Sequence, residues 1–258
     1  MIMDFKQSPR REIIAMAALS AILSIAFLAG PPALLSQSSK PAAANPAKAK
    51  VHYKRGVEFL DKSDYAGAIK ELSEAIRLNP DYADAYAYRA RAYNIKGDLE
   101  LGLEDGNQAI KLNPNNVMGY YARGGVYARQ NDMSRAIADL TEAIRLNPKD
   151  ANAYSRRGSF YVRKGDYDRA IADYTEAIRL NPKDANTYSG RGAAYQLRKD
   201  PDHAFADYEA ALKIDPNNTS ANQNLEQVRK IRKASLLKKS GEGTVGATTP
   251  DSGETIKK

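Results

Sequence analysis

The stretch NPKDANAYSRRGSFYVRKGDYDRAIADYTEAIRLNP, residues 147–182, decides the fold of this chain. It begins and ends with Asn-Pro, and the two prolines lie 34 residues apart. The same step recurs along the chain, where a proline after Asn or Asp closes each unit, at Pro80, Pro114, Pro148, Pro182 and Pro216. An unbroken period of this length is typical of a repeat array. The chain therefore divides into units 49–82, 83–116, 117–150, 151–184 and 185–218.

Each unit contains two amphipathic segments that predict a helix A followed by a helix B. In the fourth unit they cover residues 151–163 and 167–180, and Asp166 lies between them. Every unit has aspartate at this place, where the side chain can accept from the free N–H groups that begin helix B. The closing proline cannot continue helix B. The predicted N-caps of the following A helices are Asn116, Asp150, Asp184 and Asn218.

The repeated pattern also identifies a family. It reads Y-x-x-R-G-x-x-Y, then D-x-x-x-A-I, then A-I-x-L-N-P, and it resembles the tetratricopeptide repeat (TPR) family over residues 49–218. The resemblance implies an all-α fold, an α-solenoid of five tandem helix-turn-helix repeats in a right-handed superhelix. It also implies that the A helices line a concave groove that holds peptides or partner segments. Residues 219–239 predict a capping helix for the last repeat, through Leu225, Val228, Ile231 and Leu236.

The segment before the repeats has the features of an export leader. Residues 13–29 form an uncharged apolar run after Lys6, Arg10 and Arg11. Residues 1–35 are therefore predicted to be either a signal peptide, cleaved near Ser36-x-Ser38, or an uncleaved N-terminal membrane anchor. The basic flank would stay in the cytoplasm. We therefore expect the repeats in the periplasm or cell envelope of a bacterium, in contact with the inner membrane if the leader is retained.

Two further segments lack apolar periodicity. Residues 36–48 are rich in Ala, Pro, Ser and Lys and predict a flexible linker. Residues 240–258 are rich in Ser, Gly and Thr and predict a disordered tail.

The composition excludes most catalytic chemistry. The chain has no cysteine and two histidines, and it contains no phosphate-binding, dinucleotide-binding or hydrolase motif. We therefore predict a non-catalytic protein with no cofactor, no metal and no small-molecule substrate. The formal net charge is +8, and part of the excess lies in the basic segment 229–239. An alternative function is binding of nucleic acid or an anionic surface through that helix, although export argues against nucleic acid.

An arginine and a carboxylate recur together in every unit. The arginines are Arg55, Arg89, Arg123, Arg157 and Arg191, and the acids are Glu71, Asp105, Asp139, Asp173 and Asp207. The arginines could form a ladder for an anionic ligand, or each could pair with its acid between helices. Because the acid recurs with the arginine, the pattern favours the structural pair, which fixes packing register.

Gly106 interrupts a position that is otherwise large. The other units have Leu72, Leu140, Tyr174 and Tyr208 there. An interior helical glycine costs about 1 kcal/mol relative to alanine. The sequence therefore predicts a packing gap, so that Gly106→Leu would raise the melting temperature unless a neighbouring side chain already fills the space.

The resemblance also implies which residues face the groove, at positions 2, 5, 9, 12 and 13 of helix A. The candidate partner-binding residues are Tyr53, Arg91, Asn94, Met118, Tyr121, Arg129, Asn152, Arg163 and Asn186. Their mixture of Tyr, Arg and Asn suits a polar, partly acidic peptide. The expected function is a scaffold that assembles or recruits proteins.

Overall fold

The computed structural model describes residues 44–242, with side-chain environments through residue 236, and this part of the chain is entirely helical outside its turns. Its helices alternate between helix A and helix B, with a final capping helix. They are α1 (Pro46–Asp61), α2 (Tyr65–Leu78), α3 (Ala83–Lys96), α4 (Leu99–Leu112), α5 (Val117–Arg129), α6 (Met133–Leu146), α7 (Ala151–Lys164), α8 (Tyr167–Leu180), α9 (Ala185–Leu197), α10 (Pro201–Ile214) and α11 (Thr219–Glu242). The predicted five pairs and capping helix are confirmed.

The predicted capping residues begin the helices. The Asp64 side chain accepts from the Gly67 N–H at 2.9 Å, and Asp132, Asp166 and Asp200 act in the same way at their own B helices. Asp98 occupies the equivalent place but accepts no such bond. The predicted caps of the later A helices also bond to their first turns, from Asn116, Asp150, Asp184 and Asn218.

In the turn between helices A and B, the residue just before the capping aspartate adopts the left-handed backbone conformation, with a positive φ. Gly97 and Gly165 supply it at φ 97° and 82°. The other three repeats use residues with a side chain, Ser63, Asn131 and Lys199, at φ 58°, 62° and 66°. Asparagine tolerates this region better than serine or lysine does. The period of 34 therefore extends to backbone conformation at a position where the residue type varies.

The packing order curves the array. Each B helix packs against helix A of its own repeat and helix A of the next, and successive A helices also approach one another. Successive B helices stand farther apart. The A helices therefore lie on the inner side of the curve. Along this inner side α3 and α5 pack closely, whereas α5 and α7 make at most sparse contact.

Glycine explains the close approach of α3 and α5. A Cβ added at Gly125 would lie 2.8 Å from Nδ2 of Asn94, closer than packing allows. Arg129 adds polar contacts by donating to the backbone carbonyls of Asn94 and Ile95 at the end of α3. The second and third repeats are therefore joined along their inner helices as well as through α4.

The predicted gap at Gly106 does not exist. A Cβ added there would lie 3.0 Å from the Cβ of Arg123 and 3.4 Å from its Cα. The space that leucine or tyrosine fills in other repeats is occupied here by α5 itself. The expectation that Gly106→Leu stabilises the protein is therefore wrong, because the larger side chain would overpack the junction.

The capping helix covers the last repeat with fewer residues than predicted. Ala221, Leu225 and Val228 are buried against α9 and α10. Ile231 and Leu236, which the sequence also assigned to this contact, are 47% and 66% exposed. Their assignment to the buried contact is wrong. At Ile231 the neighbouring Arg232 is the residue that reaches α10, through Asp202, and Leu236 lies beside the first turn of α10 without being buried.

The structure changes two predicted boundaries. Helix α11 ends at Glu242, inside the predicted tail 240–258. Helix α1 begins at Pro46, inside the predicted linker, because Asn45 caps the Lys48 N–H at 3.0 Å and proline fits the first helical turn. Within residues 44–242, no helix is both long enough and apolar enough to cross a membrane. The predicted leader 1–35, the linker up to residue 43 and the tail from residue 243 lie outside the described residues.

Candidate partner-binding site

The recurrent arginines pair with the recurrent aspartates in four repeats. Each guanidinium binds its aspartate through two parallel bonds, as Arg157 does with Asp173 through Nε and Nη2, both at 2.8 Å. The third nitrogen of Arg157 donates to Thr141 on the B helix of the preceding repeat at 3.1 Å. The other arginines with this arrangement are Arg89, Arg123 and Arg191. The structural explanation of the pattern is confirmed there.

The tyrosines of the repeat pattern stand on either side of these arginines. The Arg157 guanidinium lies 5.8 Å from the ring centre of Tyr154 and 6.0 Å from that of Tyr161. Cation–π contact and two charge-assisted bonds hold each guanidinium in place. The bond to Asp173 raises the pKa of Arg157, so this guanidinium stays charged. These arginines therefore take part in the contacts between helices.

The first repeat departs from this arrangement. Glu71, at the position of the aspartates, accepts a hydrogen bond from His52 Nδ1 at 2.8 Å. Arg55 is exposed and forms no ion pair with the residues that the structure describes. There is no preceding repeat within residues 44–242 to supply the third partner. The structural pairing therefore begins at the second repeat.

A cavity of about 300 Å³ opens on the inner side between α5 and α7. We call it the α5–α7 cavity, and its lining residues are Arg91, Met118, Tyr121, Asp150, Asn152 and Arg156. Arg91 comes from α3, so that the A helices of three successive repeats contribute. Four of the nine candidate residues thus meet at one place, namely Arg91, Met118, Tyr121 and Asn152.

Tyr121 and Asp150 form a fixed polar element in this cavity. The Tyr121 hydroxyl donates to Oδ2 of Asp150 at 2.6 Å, while Oδ1 accepts from the Asn152 N–H at 3.0 Å. Burial, and after it the bond to Asp150, raises the pKa of Tyr121 well above its ordinary value. The phenol therefore remains protonated. A residue that caps α7 also positions the aromatic ring at the cavity.

The remaining candidates do not join the α5–α7 cavity. Tyr53 packs in an aromatic cluster, with its ring centre 5.0 Å from that of Tyr82 and 5.5 Å from that of Tyr88. Asn94 and Arg129 take part in the contact between α3 and α5. The other two candidates are also engaged elsewhere. Arg163 lies 3.4 Å from Asn131 Oδ1 of the preceding repeat, and Asn186 Oδ1 accepts from Asn218, the cap of α11, at 3.0 Å.

Two residues of the α5–α7 cavity were missing from the candidate set. Asp150 was predicted as a helix cap, and its second role depends on the Tyr121 hydroxyl reaching it from α5. Arg156 stands at position 6 of helix A, outside the groove positions that the resemblance implies, and its guanidinium lies 5.5 Å from the centre of the Tyr121 ring. Its adjacency to the structural Arg157 was the available signal, since only one of two neighbouring arginines can face α8.

The basic capping helix is partly neutralised by nearby acids. Arg229 donates to Glu226 at 2.8 Å, and Arg232 donates to Asp202 on α10 at 2.7 Å. Among residues 44–242, no group of three or more His, Asp or Glu side chains is placed to hold a metal ion.

These features define a class, an α-solenoid of helix-turn-helix repeats. Three sequence models of the tetratricopeptide repeat match, one at residues 53–117, one described as TPR repeat at 125–165 and 158–197, and one at 185–218. The chain belongs to the tetratricopeptide repeat family, whose fold suggests a protein–protein interaction scaffold. No curated protein sequence matches the chain.

Solved structures of TPR proteins share the fold. TTC0263, a thermophilic TPR protein from Thermus thermophilus, is 24% identical with a TM-score of 0.59, over 70% of this chain and 98% of that one. MamA from Desulfovibrio magneticus RS-1 is 20% identical with a TM-score of 0.58, over 67% and 98%. YrrB, described as a TPR protein with an unusual peptide-binding site, is 19% identical with a TM-score of 0.56, over 68% and 90%.

Proposed function

We propose that this protein is a non-catalytic scaffold that binds a segment of another protein along its inner side, at the α5–α7 cavity. The observation that carries the proposal is the meeting of Arg91, Met118, Tyr121 and Asn152 at one opening. A mixture of aromatic, arginine and thioether side chains is enriched in protein interfaces. Arg89, Arg123, Arg157 and Arg191 are held by aspartates between helices. Arg91 and Arg156 in this cavity have no such pair among the described residues and remain available.

The shape of the cavity also suits an extended segment. It receives side chains from α3, α5 and α7, so a peptide lying along the inner side would contact three repeats at once. The hydrogen bond between Tyr121 and Asp150 already fixes the Tyr121 ring and the Asp150 side chain that caps α7. A fixed site loses less conformational entropy on binding than one whose side chains must be ordered.

Site-specific photo-crosslinking in the native host tests this proposal. A photoreactive amino acid replaces Met118 in one variant and Asn152 in another, and a control variant carries it at Lys149, in the exposed turn before α7. Tyr121 is left in place because its hydroxyl holds Asp150. We expect discrete adducts from Met118 and Asn152 but not from Lys149. Adducts from the turn alone, or from none of the three, would show that the inner side is not the working surface.

We further propose that the leader exports the protein across the bacterial inner membrane or anchors it there. The support is the apolar run 13–29 behind a basic flank. Alkaline phosphatase fused after residue 258 should be active only with the leader present. Replacing Leu19 and Leu23 with arginine should abolish that activity. N-terminal sequencing of the envelope protein then separates the alternatives, since cleavage yields a new N-terminus near Ser38 and an anchor does not.

A further inference from the structure

Two arginines on the inner side have no acidic partner. Arg91 on α3 and Arg156 on α7 are both exposed, both line the α5–α7 cavity, and neither forms an ion pair with a residue of the described part of the chain. The arginines of the second to fifth repeats that face the B helices each bind an aspartate through two bonds. The same chain therefore contains paired structural arginines and a separate set whose donors face solvent.

The acid in the cavity forms no ion pair with either arginine. Both carboxylate oxygens of Asp150 already accept hydrogen bonds, Oδ1 from the Asn152 N–H at 3.0 Å and Oδ2 from the Tyr121 hydroxyl at 2.6 Å. Asp150 lies beyond ion-pair distance from both arginines, since neither contact is among the ion pairs of the described residues. The α5–α7 cavity consequently combines two cationic groups with one acid whose oxygens are engaged.

An apolar surface lies beside the arginines. The Met118 side chain and the ring of Tyr121 come from α5, between the helices that carry Arg91 and Arg156. The Arg156 guanidinium lies 5.5 Å from the centre of the Tyr121 ring. Attraction to the face of an aromatic ring helps to hold a guanidinium in place and leaves its N–H edge available to an incoming carboxylate. Arginine binds carboxylates through such an edge with good geometry.

We propose that the α5–α7 cavity recognises an acidic peptide segment, with an Asp or Glu carboxylate bound by Arg156 and Arg91 and a neighbouring apolar side chain packed on Met118 and Tyr121. This rests on the proposed function, because it assumes that the inner side binds a peptide. It adds a requirement that peptide binding alone does not make, namely a carboxylate at a fixed distance from an apolar side chain.

The test uses a displayed library of random dodecapeptides selected on the immobilised full-length protein. Three forms are compared: the parent, the double variant Arg91→Gln/Arg156→Gln, and a control, Arg145→Gln/Arg179→Gln. The control also removes two positive charges, but from exposed positions on the B helices α6 and α8. Far-UV circular dichroism and urea midpoints establish that all three are folded.

We expect the parent and the control to enrich peptides with an acid at a fixed offset from an apolar residue, and the double variant to lose that preference. An enriched peptide is then synthesised with its acid and with the matching amide. On the parent and the control, the change from acid to amide should weaken binding about tenfold to a hundredfold, the loss of one or two charge-assisted hydrogen bonds. On the double variant the two peptides should bind equally.

The outcomes separate the two proposals. Enriched peptides without an acid preference, or with a preference that survives Arg91→Gln/Arg156→Gln, overturn the acidic recognition but leave peptide binding in place. If the parent enriches no peptide, the inference fails together with the proposed peptide groove. If the control variant loses the acid preference to the same extent, the preference depends on overall charge, and the inference is also overturned.

Discussion

The bond between Arg157 and Asp173 is the clearest test of what holds neighbouring helices together. Asp173→Ala removes two hydrogen bonds of 2.8 Å and leaves a guanidinium that is 16% exposed without its carboxylate. Breaking a buried ion pair from one side costs about 3–5 kcal/mol. Because Arg157 keeps its bond to Thr141, we expect the lower end, about 3 kcal/mol of the free energy of unfolding.

Equilibrium urea unfolding of the full-length protein, followed by circular dichroism, measures this loss. A double-mutant cycle with Arg157→Ala and Asp173→Ala should give a coupling energy of about 2 kcal/mol. Arg55→Ala is the matched control, since Arg55 occupies the same place in the first repeat without an aspartate, and its effect should stay within about 0.5 kcal/mol. A coupling energy near zero would refute the view that the pair is structural.

Three further predictions concern stability. Gly106→Leu should lower the free energy of unfolding by about 1–3 kcal/mol, because a Cβ there already lies 3.0 Å from that of Arg123; an unchanged urea midpoint would contradict this. Burial raises the pKa of Tyr174 from 10.0 to about 12, so the unfolded state loses this proton first as pH rises. Stability should then fall between about pH 10 and 12 by roughly 2–3 kcal/mol. Urea titrations of Tyr174→Phe should show an alkaline decline that is smaller by this amount but not absent, because burial also raises the pKa of Tyr121. An identical alkaline decline would count against the assignment. Asp64→Ala should cost about 1 kcal/mol and Asp98→Ala less, since only Asp64 bonds to its helix; equal losses in urea unfolding would disprove a capping role.

The repeat gives its arginines two different tasks. Arg157 faces α8 and is bound by Asp173, whereas its neighbour Arg156 faces the inner side and lies over the Tyr121 ring. Successive residues of a helix point about 100° apart, so adjacent arginines cannot share one partner. Arg157 is therefore neutralised between helices. Arg156 is left for the binding that we propose.

The sequence by itself determined the repeat, its helices and its paired charges. These features depend on local chemistry and on identical geometry in each unit: a capping aspartate acts on the turn beside it, and a pairing found in one repeat recurs 34 residues later. The Arg–Asp pairs were predictable for the second to fifth repeats on this basis. The first repeat departs from this pairing, because its acid, Glu71, is bonded to His52 instead of the arginine.

Only the tertiary structure decided how neighbouring repeats meet. The space at Gly106 is filled by Arg123 from the next repeat, and the opening between α5 and α7 collects residues from three A helices. The sequence named Arg91, Met118, Tyr121 and Asn152 but could not separate them from Asn94 or Arg129, which are used in packing. Those differences follow from how close successive A helices come, and that distance depends on the size of side chains from separate repeats that meet only after the chain has folded.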